Sequence, residues 1–133
     1  MTAVSEKVVL AMLPVASTSF DVDVTFEDLG QDAVIRFAFH RDGVAHRGGL
    51  RFEKVRAYRF RSEGHCTLWH VDGVYDTLAE VSPSEWVSEL LAAEPAETWG
   101  RWEIHHFIIY IDSAGCFEIG AASWSWLAEE SLP

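Results

Sequence analysis

The stretch FDVDVTFE at residues 20–27 decides the fold class, because apolar and polar residues alternate along it without interruption. In an extended chain, Phe20, Val22, Val24 and Phe26 point to one side and the Asp, Thr and Glu residues between them point to the other. A period of two residues is typical of a strand with one face on a core and one in water. We therefore predict a strand with a buried apolar face and a solvent-exposed acidic face.

Two hairpins follow from the same periodicity. Residues 33–40 alternate as residues 20–27 do, and we expect the two segments to pair across the short polar connection between them. Near the C-terminal end, residues 102–112 and 116–124 predict a second hairpin, joined at Ser113-Ala114-Gly115. Local pairing of this kind is typical of an antiparallel sheet.

Residues 50–62 predict a further strand, with a bulge or bend near Lys54–Val55, where the apolar positions change face. Residues 66–71 predict another strand that turns at Asp72–Gly73, a dipeptide well suited to a two-residue type I′ turn.

One helix is predicted over about residues 83–93. The sequence Ser82-Pro83-Ser84-Glu85 has the order of a capping box, with Ser82 as N-cap, and Val81 and Trp86 can form a hydrophobic staple around it. Pro95 prevents the helix from continuing. An apolar stripe at helical spacing is formed by Trp86, Val87, Leu90 and Leu91. Such a stripe favours packing of the helix on a sheet.

Together these elements predict one α+β domain over residues 1–133. We expect a mostly antiparallel sheet or sandwich of about six to eight strands with one amphipathic helix on it. The chain has 133 residues, of which 49% are hydrophobic and 23% charged, and this balance excludes wholesale disorder.

The compartment predicted from the sequence is the cytoplasm. Cys66 and Cys116 allow at most one bridge, far fewer than a secreted disulfide scaffold uses. The apolar residues 8–13 follow Lys7, but Glu6 in the preceding segment is untypical of a signal peptide. No apolar run approaches the roughly 18 residues that span a bilayer.

The net charge of -11 argues against nucleic acid or an anionic membrane as partner. The charge is unevenly distributed, because residues 31–61 hold eight basic and three acidic residues, a net +5. Simple alternation would place Arg51, Arg59 and Arg61 on one face as a basic stripe. We favour internal pairing of this stripe with an acidic strand such as residues 21–27 over an exposed anion site.

Histidine and cysteine side chains raise the hypothesis of a metal site or a hydrolase. The candidates are His65, His70, His105, His106 and Cys116. Their spacing matches no zinc motif, and adjacent His105 and His106 point to opposite faces of a strand. Cys66 and Cys116 lie within apolar alternation, as buried structural thiols do. We therefore predict no metal, no cofactor and no catalytic residue, and we favour a non-enzymatic protein.

Two sets of residues are candidates for binding. The ligand-binding candidates are Trp99, Trp102, Trp124, Arg59 and Arg61, since aromatic platforms and cations hold small molecules. The partner-binding candidates belong to an acidic surface drawn from residues 72–97. They are Asp72, Asp76, Glu80, Glu85 and Glu89. An acidic surface favours a basic protein partner.

Two segments carry a family resemblance. FEKVRAYRFRSE at residues 52–63 and YIDSAGCFE at residues 110–118, continuing to Trp124, resemble a small uncharacterised bacterial protein family. More loosely, a β-rich chain with one helix is similar to immunity proteins of bacterial polymorphic toxin systems. The resemblance implies inhibition of a basic toxin and carries no catalytic residue.

The sequence therefore favours an immunity-like binding or inhibitory protein with an acidic surface. Two alternatives remain: a small-ligand-binding protein with an aromatic pocket, and an enzyme that uses histidine with a carboxylate or a metal.

Overall fold

The computed structural model describes residues 4–132 and contains nine strands and two α-helices in that range. The strands are β1 (Glu6–Met12), β2 (Thr25–Asp28), β3 (Ala33–Arg41), β4 (Val44–Glu53), β5 (Ala57–Ser62), β6 (Thr77–Ser82), β7 (His105–Ile111), β8 (Gly115–Ala121) and β9 (Ser123–Ser131). The helices are α1 (Leu68–Val71) and α2 (Glu85–Ala92). Among the described residues, no helix is long and apolar enough to cross a membrane.

The strands form two antiparallel sheets. The order of the five-stranded sheet is β1-β6-β7-β8-β5, and that of the four-stranded sheet is β2-β3-β4-β9. The strands at the sheet margins, β1 and β5 in one sheet and β2 and β9 in the other, each pair with one neighbour.

The two sheets share one apolar core. Ile35, Leu50 and Phe52 of the four-stranded sheet pack in the same cluster as Ile109 and Ile119 of the five-stranded sheet. These side chains are at most 1% exposed. Burying a side chain of this size stabilises the fold by roughly 1.5–3 kcal/mol, so the interface between the sheets holds the molecule together.

A second, smaller cluster lies on the outer face of the five-stranded sheet. Ala79, Ile108 and Cys116 form it together with Val74, and Val71 of α1 packs against it. This sheet is therefore covered on both faces, whereas the arginines on the outer face of the four-stranded sheet stand in solvent.

The antiparallel β-rich fold is confirmed, as are the hairpins β2–β3 and β7–β8. The strand expected over residues 20–27 is shorter, because only Thr25–Asp28 pairs in a sheet. The bend expected near Lys54 is present and has a larger effect than expected. Lys54 has φ of 53°, and β4 and β5 on either side of it belong to different sheets.

Two local predictions are wrong. Residues 68–71 form a helical turn instead of a strand, because Thr67 and His70 cap each other through side-chain hydrogen bonds. Helix α2 begins two residues later than predicted. Its N-cap is Ser84, whose hydroxyl oxygen accepts the Val87 amide at 3.1 Å, and the peptide bond Ser82–Pro83 is cis.

The predicted domain includes residues 1–3 and 133, which lie outside the described residues.

Candidate functional site

A pocket of about 590 Å³ opens at the side of the sandwich where β5 and β2 form the sheet margins. Five aromatic residues from both sheets and from the β1–β2 connection line it. They are Phe20, Phe26, Tyr58, Phe60 and Phe117. Within residues 4–132, no strand closes this side, since β5 pairs only with β8 and β2 only with β3.

Strand alternation places the aromatic rings. Tyr58 and Phe60 are two residues apart on β5 and stand opposite Ile119 and Phe117 of β8, so they share the face that looks toward the other sheet. The ring centroids of Tyr58 and Phe26 are 4.6 Å apart, and those of Phe60 and Phe117 are 4.7 Å apart. Tyr58 and Phe60 are nevertheless 45% and 52% exposed, because the pocket lies open beside them.

The β1–β2 connection forms another wall and is tied to the sheets at several points. The Ser17 amide donates to the Asp76 carboxylate at 2.9 Å, and the Ser17 hydroxyl accepts the Asp112 amide at 2.9 Å. Further along, the Asp21 amide donates to the Ala38 carbonyl at 2.9 Å. These bonds hold the connection in place beside the open side of the sandwich.

Carboxylates dominate the charge around the pocket. Asp21, Asp23 and Asp112 border it, while Glu118 and Arg59 lie on its strands with their side chains directed to the outer face of the five-stranded sheet. The guanidinium of Arg59 donates two hydrogen bonds to the Glu118 carboxylate, each 2.9 Å, so this cation is already neutralised. The pocket is therefore aromatic in its lining and net negative in its charge.

A buried polar chain lies on the outer face of the five-stranded sheet. The Glu118 carboxylate accepts from Nε2 of His106 at 2.8 Å, and Nδ1 of His106 lies 2.8 Å from the Ser84 hydroxyl. His106 is 3% exposed and Glu118 is 4% exposed. The ring of Trp86 covers both His106, at 4.9 Å between ring centroids, and the Arg59 guanidinium, at 4.3 Å.

This environment determines the ionisation of Glu118. Burial by itself raises its pKa, but the hydrogen bonds from His106 and Arg59 outweigh burial and lower the pKa to about 2. The carboxylate therefore remains charged at neutral pH.

The order Ser84, His106, Glu118 matches the residue types of a hydrolytic triad, but the surroundings are those of a structural network. The Ser84 hydroxyl caps α2, and neither Ser84 nor His106 borders any of the three pockets described in residues 4–132. A nucleophile needs a position for a substrate carbonyl beside it. The network instead links Ser84, the N-cap of α2, to His106 of β7 and Glu118 of β8.

The remaining histidine and cysteine candidates diverge. His105 lies between Glu103 and Glu80, at 2.9 and 2.8 Å, and these two hydrogen bonds raise its pKa. His70 bonds to Thr67, and His65 is exposed. Cys116 is a free thiol whose pKa burial raises to about 12. Within residues 4–132, no group of three or more His, Cys, Asp or Glu side chains is arranged to hold a metal ion.

The ligand-binding candidates are scattered. Trp99 is 68% exposed, Trp102 lies 4.2 Å from the Arg56 guanidinium, and Trp124 contacts Trp126 edge to face. None of the three candidate tryptophans, and not Arg61, borders the aromatic pocket; Arg59 does. The alternation of Tyr58 and Phe60 is the sequence signal that could have identified the pocket.

The partner-binding candidates divide into two groups. Asp76 and Glu80 have structural partners, since Asp76 accepts the Ser17 amide and Glu80 bonds to His105. Asp72, Glu85 and Glu89 are exposed.

The basic block is largely paired with carboxylates. The pairs are Arg36–Glu27, Arg41–Glu129, Arg47–Glu130, Arg51–Asp32 and Arg59–Glu118. Arg61 instead donates to the His65 carbonyl at 3.5 Å. The expected internal pairing is therefore present for Arg51 and Arg59, although neither pairs with Asp21 or Asp23.

No protein-family model, curated protein or solved structure matches this chain.

Proposed function

We propose that this chain is a non-enzymatic binding protein that holds a small ligand in the aromatic pocket between its sheets. The observation that carries the proposal is the pocket itself, whose volume of about 590 Å³ lies within the range of small-molecule sites. An aromatic lining with a few polar groups at the rim is the usual composition of such sites.

The half-exposed rings of Tyr58 and Phe60 support the proposal. The two residues leave 45% and 52% of their surface in water, although inward-facing positions of a sandwich are normally buried. A ligand in the pocket would cover this apolar surface and gain roughly 25 cal/mol for each Å² removed from water.

A neutral fluorescent dye, Nile red, tests the proposal. We expect the native chain to bind the dye with enhanced emission, and Phe60→Ala to bind it at least about tenfold more weakly, because the ring forms part of the lining. Trp99→Ala is the matched control, since Trp99 is an exposed aromatic residue outside the pocket. Equal binding by Phe60→Ala and native chain, or no binding by the native chain, would contradict the proposal.

A second candidate is an immunity-like protein that binds a basic protein through the acidic surface around α2. Five arginines of residues 36–61 are paired with carboxylates, so they do not balance the exposed Asp72, Glu85 and Glu89. The candidate takes α2 to be packed on the five-stranded sheet, and the contact of Trp86 with His106 supports this.

Affinity capture at low salt from the native host, followed by measurement of the purified complex, tests this candidate. Glu85→Gln with Glu89→Gln should weaken the complex at least about tenfold. The control variant Thr25→Lys with Ser125→Lys changes the net charge equally on the four-stranded sheet and should have a small effect. Affinity that does not fall as salt rises would exclude the candidate.

A further inference from the structure

We infer that the ligand of the aromatic pocket is an organic cation with an alkylated ammonium group. This inference rests on the proposed binding function and specifies the chemical class of the ligand.

The first support is the arrangement of the rings. Phe26 lies between Tyr58 and Phe117, with ring centroids 4.6 and 6.0 Å away, and Phe60 extends the group beyond Phe117. Contiguous rings with partly exposed faces attract a cation through the negative potential of the π-systems. Cages of this composition are the usual recognition device for quaternary ammonium groups.

The second support is the charge. Within residues 4–132, three carboxylates border the pocket, those of Asp21, Asp23 and Asp112, whereas Arg59 and Glu118 pair with each other on the outer face of the sheet. Among the described residues, Asp23 has no hydrogen-bond or ion-pair partner, so its carboxylate is available to a ligand. Asp21 and Asp112 add negative charge while bonded to His40 and Tyr75. An anionic ligand would meet like charge from these carboxylates.

The third support concerns hydrogen-bond donors. The polar residues of the lining, other than the charged ones, are Ser17, Thr18, Ser113 and Tyr58. The Tyr58 hydroxyl already donates to Asp28 at 3.2 Å, and the Ser113 hydroxyl to Asp112 at 3.0 Å. No lysine, asparagine or glutamine lines the pocket in the described part of the chain, so the oxygens of a carboxylic acid would find few donors there. An alkylated ammonium group needs none of these donors.

Two probes of equal shape test the class of ligand. Benzyltrimethylammonium and its neutral isostere neopentylbenzene differ only in the central atom, which is a positively charged nitrogen in the first and a carbon in the second. Each would be titrated against the native chain loaded with Nile red. We expect the cation to displace the dye at concentrations at least about tenfold lower than the isostere.

Two variants separate the contribution of the aromatic ring to cation binding from that of the carboxylate. Phe60→Leu keeps an apolar side chain but removes the π-system, and should weaken the cation about tenfold while the isostere changes by less than about threefold. Asp23→Asn should weaken the cation and leave the isostere unchanged. Trp99→Leu is the control, and thermal unfolding of each variant would establish that it is folded.

The outcomes distinguish this inference from the function on which it rests. Equal displacement by the two probes would overturn the cation assignment and leave the binding function intact. Stronger displacement by the anionic analogue 3,3-dimethyl-2-phenylbutanoate would also overturn it. Failure of the native chain to bind Nile red would contradict the proposed function, and failure of both probes to bind by calorimetry as well would remove both proposals.

Discussion

The outer faces of the two sheets each carry a glutamate paired with a basic side chain, one pair in water and the other buried. On the four-stranded sheet, Arg47 and Glu130 form a cross-strand pair at 3.2 Å, with side chains 53% and 65% exposed. On the five-stranded sheet, Glu118 pairs with His106 under Trp86, with side chains 6% and 4% exposed.

The difference shows that the contribution of a carboxylate and its partner to the free energy of unfolding depends on how far the pair is exposed to water. In water, an ion pair gains little, because the solvent already stabilises each charge and both side chains lose freedom. Under the Trp86 ring, each buried group has lost its water, and every hydrogen bond it makes must replace one to water. We therefore expect substitutions on the two faces to have very different effects on stability.

Removal of the Glu118 carboxylate should have the largest effect. Glu118→Ala leaves the His106 ring buried without its acceptor and releases the Arg59 guanidinium, which should lower the free energy of unfolding by about 3–5 kcal/mol. Urea denaturation measures this value, with Glu130→Ala as the matched control on the other face. A similar loss in the two variants would contradict the expectation that the buried carboxylate contributes more to stability than the exposed one.

Acid should remove a comparable amount of stability through the same residue. The pKa of Glu118 is about 2 in the folded state, below its ordinary value of 4.5, so its contribution is complete above about pH 4.5 and is lost as the pH falls toward 2. The shift corresponds to about 3 kcal/mol. Urea denaturation at pH 5.5 and pH 2 should show a loss for the native chain that exceeds the loss for Glu118→Gln by this amount. Parallel pH profiles would contradict the assignment.

A methyl group at Gly120 tests whether α2 lies on the five-stranded sheet. A Cβ there would stand 3.0 Å from Cδ1 of Leu90 and 3.4 Å from Cγ2 of Ile104, so Gly120→Ala should destabilise the fold by about 1–2 kcal/mol. Gly48→Ala on the four-stranded sheet is the control, since its nearest contacts are at 3.6 Å. If the helix lies on the sheet, adding Leu90→Ala should produce a non-additive double mutant. Strict additivity would count against the contact.

The smallest effect is expected on the open face. Arg47→Ala should lower the free energy of unfolding by less than about 1 kcal/mol, because the pair it breaks is solvated. Denaturation at low and at high salt measures the difference, which should shrink as salt screens the pair. A loss as large as that of Glu118→Ala would mean that the exposed pair and the buried pair contribute equally to stability.

Prediction from the sequence succeeds where the information is local. The hairpins β2–β3 and β7–β8 were predictable because each joins neighbouring segments through a short turn. Alternation predicts a strand at residues 66–71 and is wrong there, because it cannot reveal that Thr67 and His70 bond to each other. Strands β1 and β9 were not predicted, since their partners β6 and β4 are distant in the chain.

The candidate site was the least predictable part. Residue type predicts Trp99, Trp102 and Trp124 as ligand platforms, whereas the pocket uses Phe and Tyr side chains that come from four separate segments. Only the pairing of β5 with β8 and the stacking of the two sheets bring Tyr58, Phe26 and Phe117 together.

The sequence by itself determined that antiparallel hairpins form within residues 20–40 and 102–124 and that a helix lies near residues 83–93, since periodicity and capping act over a few residues. The FDVDVTFE stretch at residues 20–27 shows where prediction from local sequence ends. Its alternation is local, but whether Phe26 lies in a closed core or beside an open pocket depends on which strand faces it. Only the tertiary structure decided that, because the bend at Lys54 sends β4 and β5 into different sheets and leaves the side between β5 and β2 open.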